Sequence, residues 1–138
     1  MAFFILATDM LSNTLLRRLW VGIGWFGVVL LIFLSLTPQP PEIPIEQGDK
    51  FGHAFAYAML MYWWAQLLPA ARQRLRVAAA LLALGIAIEY VQGWTGWRSF
   101  DYYDMLADAI GIVLGWLIAP PRTPDLLALL GALARPSS

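Results

Sequence analysis

Four apolar stretches constrain this chain more than any other feature of its sequence. They cover residues 19–36, 51–68, 75–91 and 105–119, and each approaches the roughly 17 to 25 residues that an α-helix needs to cross a bilayer. The composition agrees, because 60% of the residues are hydrophobic and only 13% are charged, and charged residues make up about 25% of a soluble domain. The sequence therefore predicts an all-α integral membrane bundle of four transmembrane helices.

The segments that flank the four stretches predict the domain organisation. We expect residues 1–14 to form an N-terminal cytoplasmic segment, residues 15–120 the four-helix transmembrane domain, and residues 121–138 an amphipathic cytoplasmic tail. In the tail, Thr123 and Pro124 provide an N-cap and a first helical position. The Leu-rich segment 125–134 that follows is too short to cross a membrane, so we expect a short helix on the membrane surface.

The connection between the first two stretches is rich in proline. Because proline fixes φ and lacks an N–H donor, we expect this connection to be an extended, ordered strap rather than a helix. Its prolines are Pro38, Pro40, Pro41 and Pro44.

The distribution of basic residues predicts the orientation of the chain. Arginines lie before the first stretch, between the second and third, and after the fourth, whereas the opposite side receives only Lys50 and Arg98. Lysine and arginine in short loops resist translocation, so this partition of seven against two predicts that both termini are cytoplasmic. Tryptophan and tyrosine favour membrane interfaces. We expect an inner belt of Trp20, Trp63, Trp64 and Trp116, and an outer belt of Tyr90, Trp94, Trp97, Tyr102 and Tyr103.

Ionisable residues collect where the second, third and fourth stretches reach the outer side. A carboxylate inside hydrocarbon is penalised by roughly 2.5 to 3.5 kcal/mol, so Glu89 and Asp108 need partners. His53, Lys50 and Arg98 are available for this purpose. We therefore predict that His53, Glu89, Arg98 and Asp108 converge, and that Glu89 approaches at least one cation.

These residues suit acid-base chemistry or the binding of a polar headgroup. The catalytic candidates are His53, Glu89 and Asp108, and the ligand-binding candidates are Asp49, Lys50, Tyr57, Gln92, Arg98 and Asp104. Plainer roles remain open for several of them. Asp49 suits an N-cap, Asp101 suits a cap of the fourth helix, Tyr57 suits the core, and Glu89 suits an internal ion pair with Arg98 or Lys50.

The sequence predicts no cofactor and no metal. The chain has no cysteine and no recognised metal-ligand spacing. A divalent cation held by His53, Glu89, Asp104 and Asp108 remains a less favoured alternative, because oxygen-rich clusters suit hard cations.

Three motif blocks resemble those of the VanZ-like family, in the same order and spacing: DKFGHAFAY, EYVQ and RSFDYYDMLADAIG. The resemblance covers residues 49–115. Asp108 stands where many relatives have asparagine. The resemblance implies a membrane protein of the cell envelope, in a family named for a member associated with resistance to the lipophilic glycopeptide teicoplanin. Its signature positions are Asp49, Lys50, His53, Tyr57, Glu89, Gln92, Arg98, Asp104, Asp108 and Gly111.

Two functions fit these observations. In the first, a polar site at the outer face binds a lipid-linked or lipophilic ligand, with Lys50, Arg98 and His53 as contacts to an anion. In the second, the protein is an outer-face enzyme that hydrolyses or transfers a phosphoryl or acyl group, with Glu89 as general base and His53 as acid. A transporter is less favoured, because four short spans offer few pore-lining residues.

Membrane lipids are the expected partners, in a bacterial-type inner or plasma membrane, and no nucleic acid is expected. Gly111 and Gly115 form a GxxxG pattern that lets a second helix approach closely. We favour packing within the bundle over an oligomer for this pattern.

Site-directed labelling tests the orientation. Single cysteines at Gln47 and Ser99 should react with a membrane-impermeant thiol reagent in intact cells, because both positions lie on the side with few basic residues. A cysteine at Gln73 should react only after the cells are permeabilised. The reverse pattern would contradict the orientation and move the polar residues to the cytoplasmic face.

Overall fold

The computed structural model describes residues 2–39, 44, 46–96 and 98–134, with only the backbone described for residues 2–13. The described residues form five α-helices, and no β-strand occurs among them, which confirms the all-α class. The helices are α1 (Ala2–Leu36), α2 (Gly48–Ala65), α3 (Ala71–Thr95), α4 (Tyr102–Ile118) and α5 (Leu126–Leu133). By length and composition, two of them could cross a membrane: Thr14–Leu36 within α1, and Ala71–Thr95.

Each of α1 to α4 begins before the apolar stretch predicted for it, whereas α2 and α4 end before their stretches do. α1 includes the segment before Thr14, in which the sequence shows no pattern. α3 continues through polar residues at both ends, from Ala71 to Thr95. Hydropathy marks the apolar part of a helix, whereas backbone hydrogen bonding continues through polar turns.

The helix caps differ in part from those predicted. Asp125 caps α5, since its carboxylate accepts a hydrogen bond from the N–H of Ala128, so the prediction that Thr123 is the cap is wrong. The Thr123 hydroxyl instead donates to the carbonyl oxygen of Ile118, 2.6 Å away. Gln47 precedes α2 and Asp49 lies within its first turn, so Asp49 is not an N-cap either. The predicted cap at Asp101 is confirmed, because its carboxylate accepts from the N–H of Tyr103.

The proline-rich strap is described only in part. Pro38 and Pro44 lie outside helices, as expected, whereas Pro40 and Pro41 lie outside the described residues.

The closest packing in the bundle joins α2 to α4. Gly111 and Gly115 lie against the backbone of Ala54 and Ala58, and a Cβ on either glycine would meet the carbonyl oxygen opposite it. The two glycines are therefore used within one chain, where they bring two backbones together. Beneath this contact lies the apolar core, formed by Tyr57, Leu60, Met61, Ala65, Leu81, Ile112 and Ala119.

A pair of tryptophans joins α1 to the C-terminal half of α2. The rings of Trp20 and Trp63 are stacked, with centroids 3.8 Å apart and planes 7° from parallel. Each indole N–H donates to the other residue's backbone carbonyl, at 3.1 Å and 2.9 Å. Trp20 is only 5% exposed, so this pair acts as an internal clasp, although the sequence predicts these residues as anchors in a membrane interface.

Arg74 ties together three segments at the same end of the bundle. Its guanidinium donates to the carbonyl oxygens of Leu68, Pro120 and Ala65, at 2.7, 2.7 and 3.2 Å. The sequence presents Arg74 mainly as a marker of orientation, yet its side chain is buried and satisfies helix-end carbonyls. We call this end of the bundle the Arg74 end.

The packing of α2 on α4 can be tested with Gly111→Ala and a matched control. A methyl group at Gly111 would meet the backbone of Ala54, which cannot move aside as a side chain can, so we expect a loss of roughly 1 to 3 kcal/mol of stability. Gly22 has no atom within 4 Å of its potential Cβ. Gly22→Ala should therefore be neutral or stabilising by up to about 1 kcal/mol. The measurement is the melting temperature in detergent, and equal values for both variants would contradict close packing at Gly111.

Candidate functional site

A cluster of ionisable residues lies at the end of the bundle opposite Arg74, where α2 and α4 begin and α3 ends. We call Lys50, His53, Glu89, Asp101, Asp104 and Asp108 the polar cluster. Three of its carboxylates are buried, with exposed fractions of 0% for Glu89, 1% for Asp108 and 5% for Asp104. Glu89 and Asp108 each lie six residues from the nearer helix end, which is about 9 Å at a rise of 1.5 Å per residue. They are therefore deeper than the apolar stretches alone indicate.

His53 on α2 contacts Asp108 on α4. The imidazole Nδ1 lies 2.9 Å from Asp108 Oδ1. An ionised carboxylate only accepts hydrogen bonds, so with Asp108 ionised the Nδ1 atom carries a proton and donates it to Asp108. The second ring nitrogen, Nε2, lies 3.9 Å from Asp104 Oδ2, and in the neutral imidazole it carries the lone pair.

Gly85 on α3 makes room for this pair. A Cβ at this position would overlap Asp108 Oδ2 and come within 3.0 Å of the Tyr57 hydroxyl. Sequence reasoning missed Gly85. A signal was available, because a glycine four residues before Glu89 lies on the same helix face and can admit a side chain from a neighbouring helix.

The carboxylate of Glu89 is satisfied on one oxygen only. Oε2 accepts a hydrogen bond from the backbone N–H of Asp101, at 3.1 Å, and so lies at the N-terminus of α4, which favours negative charge. Oε1 is buried and has no hydrogen-bond partner in the described part of the chain. The expected ion pair of Glu89 with Lys50 or Arg98 does not occur among the described residues.

Lys50 is held by three carboxylates at the edge of the cluster. Its ammonium lies 2.8 Å from Asp101 Oδ2, 3.3 Å from Asp104 Oδ1 and 3.4 Å from Asp49 Oδ2. The hydrogen bond from Lys50 lowers the pKa of Asp101 below its usual value. Asp101 is thus part of the ion-pair network, a role that the sequence did not indicate.

The remaining predicted site residues lie outside these contacts. Gln92 is buried, and its amide donates to the carbonyl oxygen of Ser35 on α1, at 2.7 Å. Tyr57 belongs to the apolar core. Arg98 makes no ion pair with any residue that the structure describes, and its neighbour Trp97 is not among those residues.

The composition of the cluster determines what it can bind. Four of its side chains carry carboxylates, whereas Lys50 and His53 are its basic groups, and both are already engaged with aspartates. Such a site attracts cations and hydrogen-bond donors more readily than anions. His53, Glu89 and Asp104 each present one potential ligand atom, and these three atoms lie within 4.8 Å of one another.

A cavity of about 540 Å³ lies at the Arg74 end rather than beside the polar cluster. Arg17, Gln66, Arg74 and Pro120 are among the residues that line it. The arrangement of the chain therefore separates this cavity from the predicted site residues by the length of the bundle.

The fold and the cluster define a helical protein of membrane type with a buried histidine-carboxylate centre at one end. A model of the VanZ/LLP1 family matches residues 15–127, and the chain belongs to this family. The predicted family resemblance is thereby confirmed.

The curated relatives include an uncharacterized protein of Schizosaccharomyces pombe, which is 29% identical over 94 residues. This match covers 66% of the chain and 58% of the yeast protein, so the chain spans little more than half the length of that relative. No solved structure matches the chain.

The contact between His53 and Asp108 can be tested by NMR, because His53 is the only histidine of the chain. Nitrogen shifts of the imidazole should show protonation at Nδ1 in the wild type. Gly85→Ala should change these shifts, since the added methyl group displaces the Asp108 carboxylate. Gly22→Ala is the control, as it introduces no contact. Unchanged shifts in Gly85→Ala, or an unprotonated Nδ1 in the wild type, would contradict the geometry.

Proposed function

We propose that α1 to α4 all cross the membrane, with both termini in the cytoplasm. Large apolar side chains on the outside of α2 and α4 support this arrangement, because they would otherwise face water. Examples are Phe51 and Phe55 on α2, with exposed fractions of 63% and 61%, and Val113 on α4, with 55%. Helices of 18 and 17 residues extend about 26 Å, close to the roughly 30 Å of a hydrocarbon core.

In this arrangement the polar cluster lies at the outer face. Exposed aromatic residues near the cluster support a membrane interface at this level, since tryptophan and tyrosine prefer it. Trp94, Tyr102 and Tyr103 are 91%, 74% and 68% exposed. The outer belt predicted from sequence also included Trp97, which the structure does not describe.

We infer that the polar cluster binds the polar part of a lipid-linked or lipophilic ligand of the cell envelope. The observation that carries this proposal is the Oε1 atom of Glu89, which is buried without a hydrogen-bond partner. An unsatisfied carboxylate oxygen costs free energy in a low-dielectric site, so its retention favours a role in binding. Exposed Trp94 and Tyr102 offer apolar surface for the rest of an amphiphile.

The contacts revise how such a ligand would be held. Lys50 and His53 are engaged by aspartates, so direct contact of both with an anion receives less support than it did from sequence. A hydroxyl or amino group donated to Glu89 fits the cluster better. The chain resembles a fungal protein, so we propose that the ligand belongs to a class of lipids common to many membranes. A lipophilic glycopeptide such as teicoplanin would then bind because its lipid part resembles such a ligand.

An outer-face enzyme is the second candidate, and the contact between His53 and Asp108 favours it. A carboxylate on Nδ1 orients the imidazole and leaves Nε2 able to take a proton. With Glu89 beside it, such a pair suits hydrolysis or transfer of a phosphoryl or acyl group on a lipid. Binding and catalysis would use the same residues.

Substitutions of Glu89 and His53 test the site. Glu89→Gln and His53→Ala should each abolish the envelope function, measured as sensitivity to lipophilic antibiotics beside a deletion strain, while insertion into the membrane is retained. Glu89→Gln preserves the shape of the side chain and removes its charge, and one carboxylate oxygen becomes an amide NH2 group. The control is Glu46→Gln, because Glu46 is an exposed carboxylate outside the cluster.

The melting temperature in detergent distinguishes a functional role of Glu89 from a structural one. Stable but inactive variants would support a working site, whereas loss of both stability and function would indicate that Glu89 serves the packing of the bundle. Stable variants with full function would show that the polar cluster is not the functional site.

A further inference from the structure

We propose that the polar cluster binds one divalent metal ion, through His53 Nε2, Glu89 Oε1 and Asp104 Oδ2. The proposal rests on the proposed function, which assigns the polar cluster as the functional site. It adds a cation that the ligand would contact there. It rests on three observations, one for each of the three ligand residues.

The first contact orients the imidazole. Asp108 accepts the hydrogen bond at Nδ1, 2.9 Å away, so the lone pair belongs to Nε2. Histidines that bind metals commonly donate their other N–H to a carboxylate, which fixes the tautomer and makes the ligand more basic. Asp108 is therefore a positioning residue for His53, and Gly85 provides its space.

In the second contact, the two carboxylate oxygens of Asp104 have different neighbours. Oδ1 lies 3.3 Å from the Lys50 ammonium, whereas Oδ2 lies 3.9 Å from His53 Nε2. A separation of 3.9 Å is too long for a hydrogen bond. It suits two atoms that bind the same ion from different directions.

The third contact leaves Glu89 Oε1 without a partner. Oε2 accepts from the backbone N–H of Asp101, which fixes the carboxylate, and the side chain is fully buried. A carboxyl oxygen buried without a hydrogen-bond donor favours a bound cation, because the ion would supply the missing interaction. This observation is independent of the acidic character of the cluster.

The distances and donor types narrow the choice of ion. One imidazole nitrogen with two carboxylate oxygens suits Mn²⁺, Fe²⁺ or Zn²⁺ better than Ca²⁺. Bonds of about 2.1 Å allow at most about 4.2 Å between opposite ligand atoms. One nitrogen or oxygen atom from each of His53, Glu89 and Asp104 lies within 4.8 Å of the others, so these side chains would have to move only slightly to bind one ion. Three protein ligands would leave coordination positions open for water or for an oxygen of the lipid headgroup.

Such an ion would explain how an acidic site meets an anionic ligand. Lys50 and His53 are occupied by aspartates, but a divalent cation can bind a phosphate or carboxylate oxygen of the ligand directly. The same ion could lower the pKa of a bound water, so it serves both the binding proposal and the enzymatic one.

Mn²⁺ binding to the full-length protein in detergent tests the proposal. Any affinity tag should be removed, since His53 is the only native histidine. Electron paramagnetic resonance of apo protein titrated with Mn²⁺ should show one bound ion per chain, and pulsed measurements should show coupling to an imidazole nitrogen. Glu89→Gln and Asp104→Asn should weaken binding at least about tenfold, and Asp108→Asn should weaken it by roughly 10-fold to 100-fold while the nitrogen coupling persists. Glu46→Gln should bind as the wild type does.

Three results of this experiment would contradict the metal site. No bound Mn²⁺ at millimolar concentration, a bound ion without nitrogen coupling, or unchanged affinity in Glu89→Gln would overturn the proposal. The nitrogen coupling is measured on the wild type, so the test does not depend on whether the variants fold. The Mn²⁺ titration contains no lipid, so it tests metal binding separately from ligand binding. Specific Mn²⁺ binding together with a normal phenotype of Glu89→Gln would overturn the proposed function and leave the metal site standing.

Discussion

The close approach of α2 and α4 is the interaction on which the rest of the site depends. Gly111 and Gly115 allow the backbones to touch at Ala54 and Ala58, and backbone contact leaves little freedom to slide. His53 immediately precedes Ala54, and Asp108 lies three residues before Gly111. A shift of one helical turn would move the two side chains apart by about 5 Å, which is more than their hydrogen bond could span. The two glycines therefore set the register that pairs His53 with Asp108.

α3 contributes two features to the polar cluster, a carboxylate and the space that a neighbouring side chain occupies. Glu89 brings the carboxylate that bonds to the N-terminus of α4, and Gly85, one turn away, admits the Asp108 side chain. Lys50 offsets negative charge only at the edge, where it bonds to Asp101 and Asp104. The charges of the interior are thus less well balanced than those of the rim, and the imbalance is greatest at Glu89.

The all-helical fold could be predicted from sequence, because apolar length and breaks at proline and turn residues are properties of the chain alone. The sequence could also predict that His53, Glu89 and Asp108 lie at the same end of the bundle, since each lies near the end of an apolar stretch. Their functional role stays a prediction.

What could not be predicted were the pairings. Hydropathy does not fix the rotation of a helix about its axis, so it could not show that Lys50 bonds to Asp101 or that Gln92 bonds to Ser35 of α1. The burial of Arg74 was hidden for a related reason. The sequence shows three arginines in one short connection, whereas the structure shows that one of them satisfies carbonyls from two helix ends.

The two ends of the bundle differ in the interactions that hold their helices together. At the Arg74 end, stacked tryptophans with reciprocal hydrogen bonds and a guanidinium on three carbonyls hold the helices together. Each end nevertheless holds one buried polar atom without a hydrogen-bond partner among the described residues, Gln66 Nε2 at the Arg74 end and Glu89 Oε1 in the polar cluster. Marginal stability allows such a deficit only where other interactions offset it. The stacked tryptophans and the Arg74 contacts stabilise the fold far from the cluster, so a ligand or ion that satisfies Glu89 would add its stabilisation at the polar end.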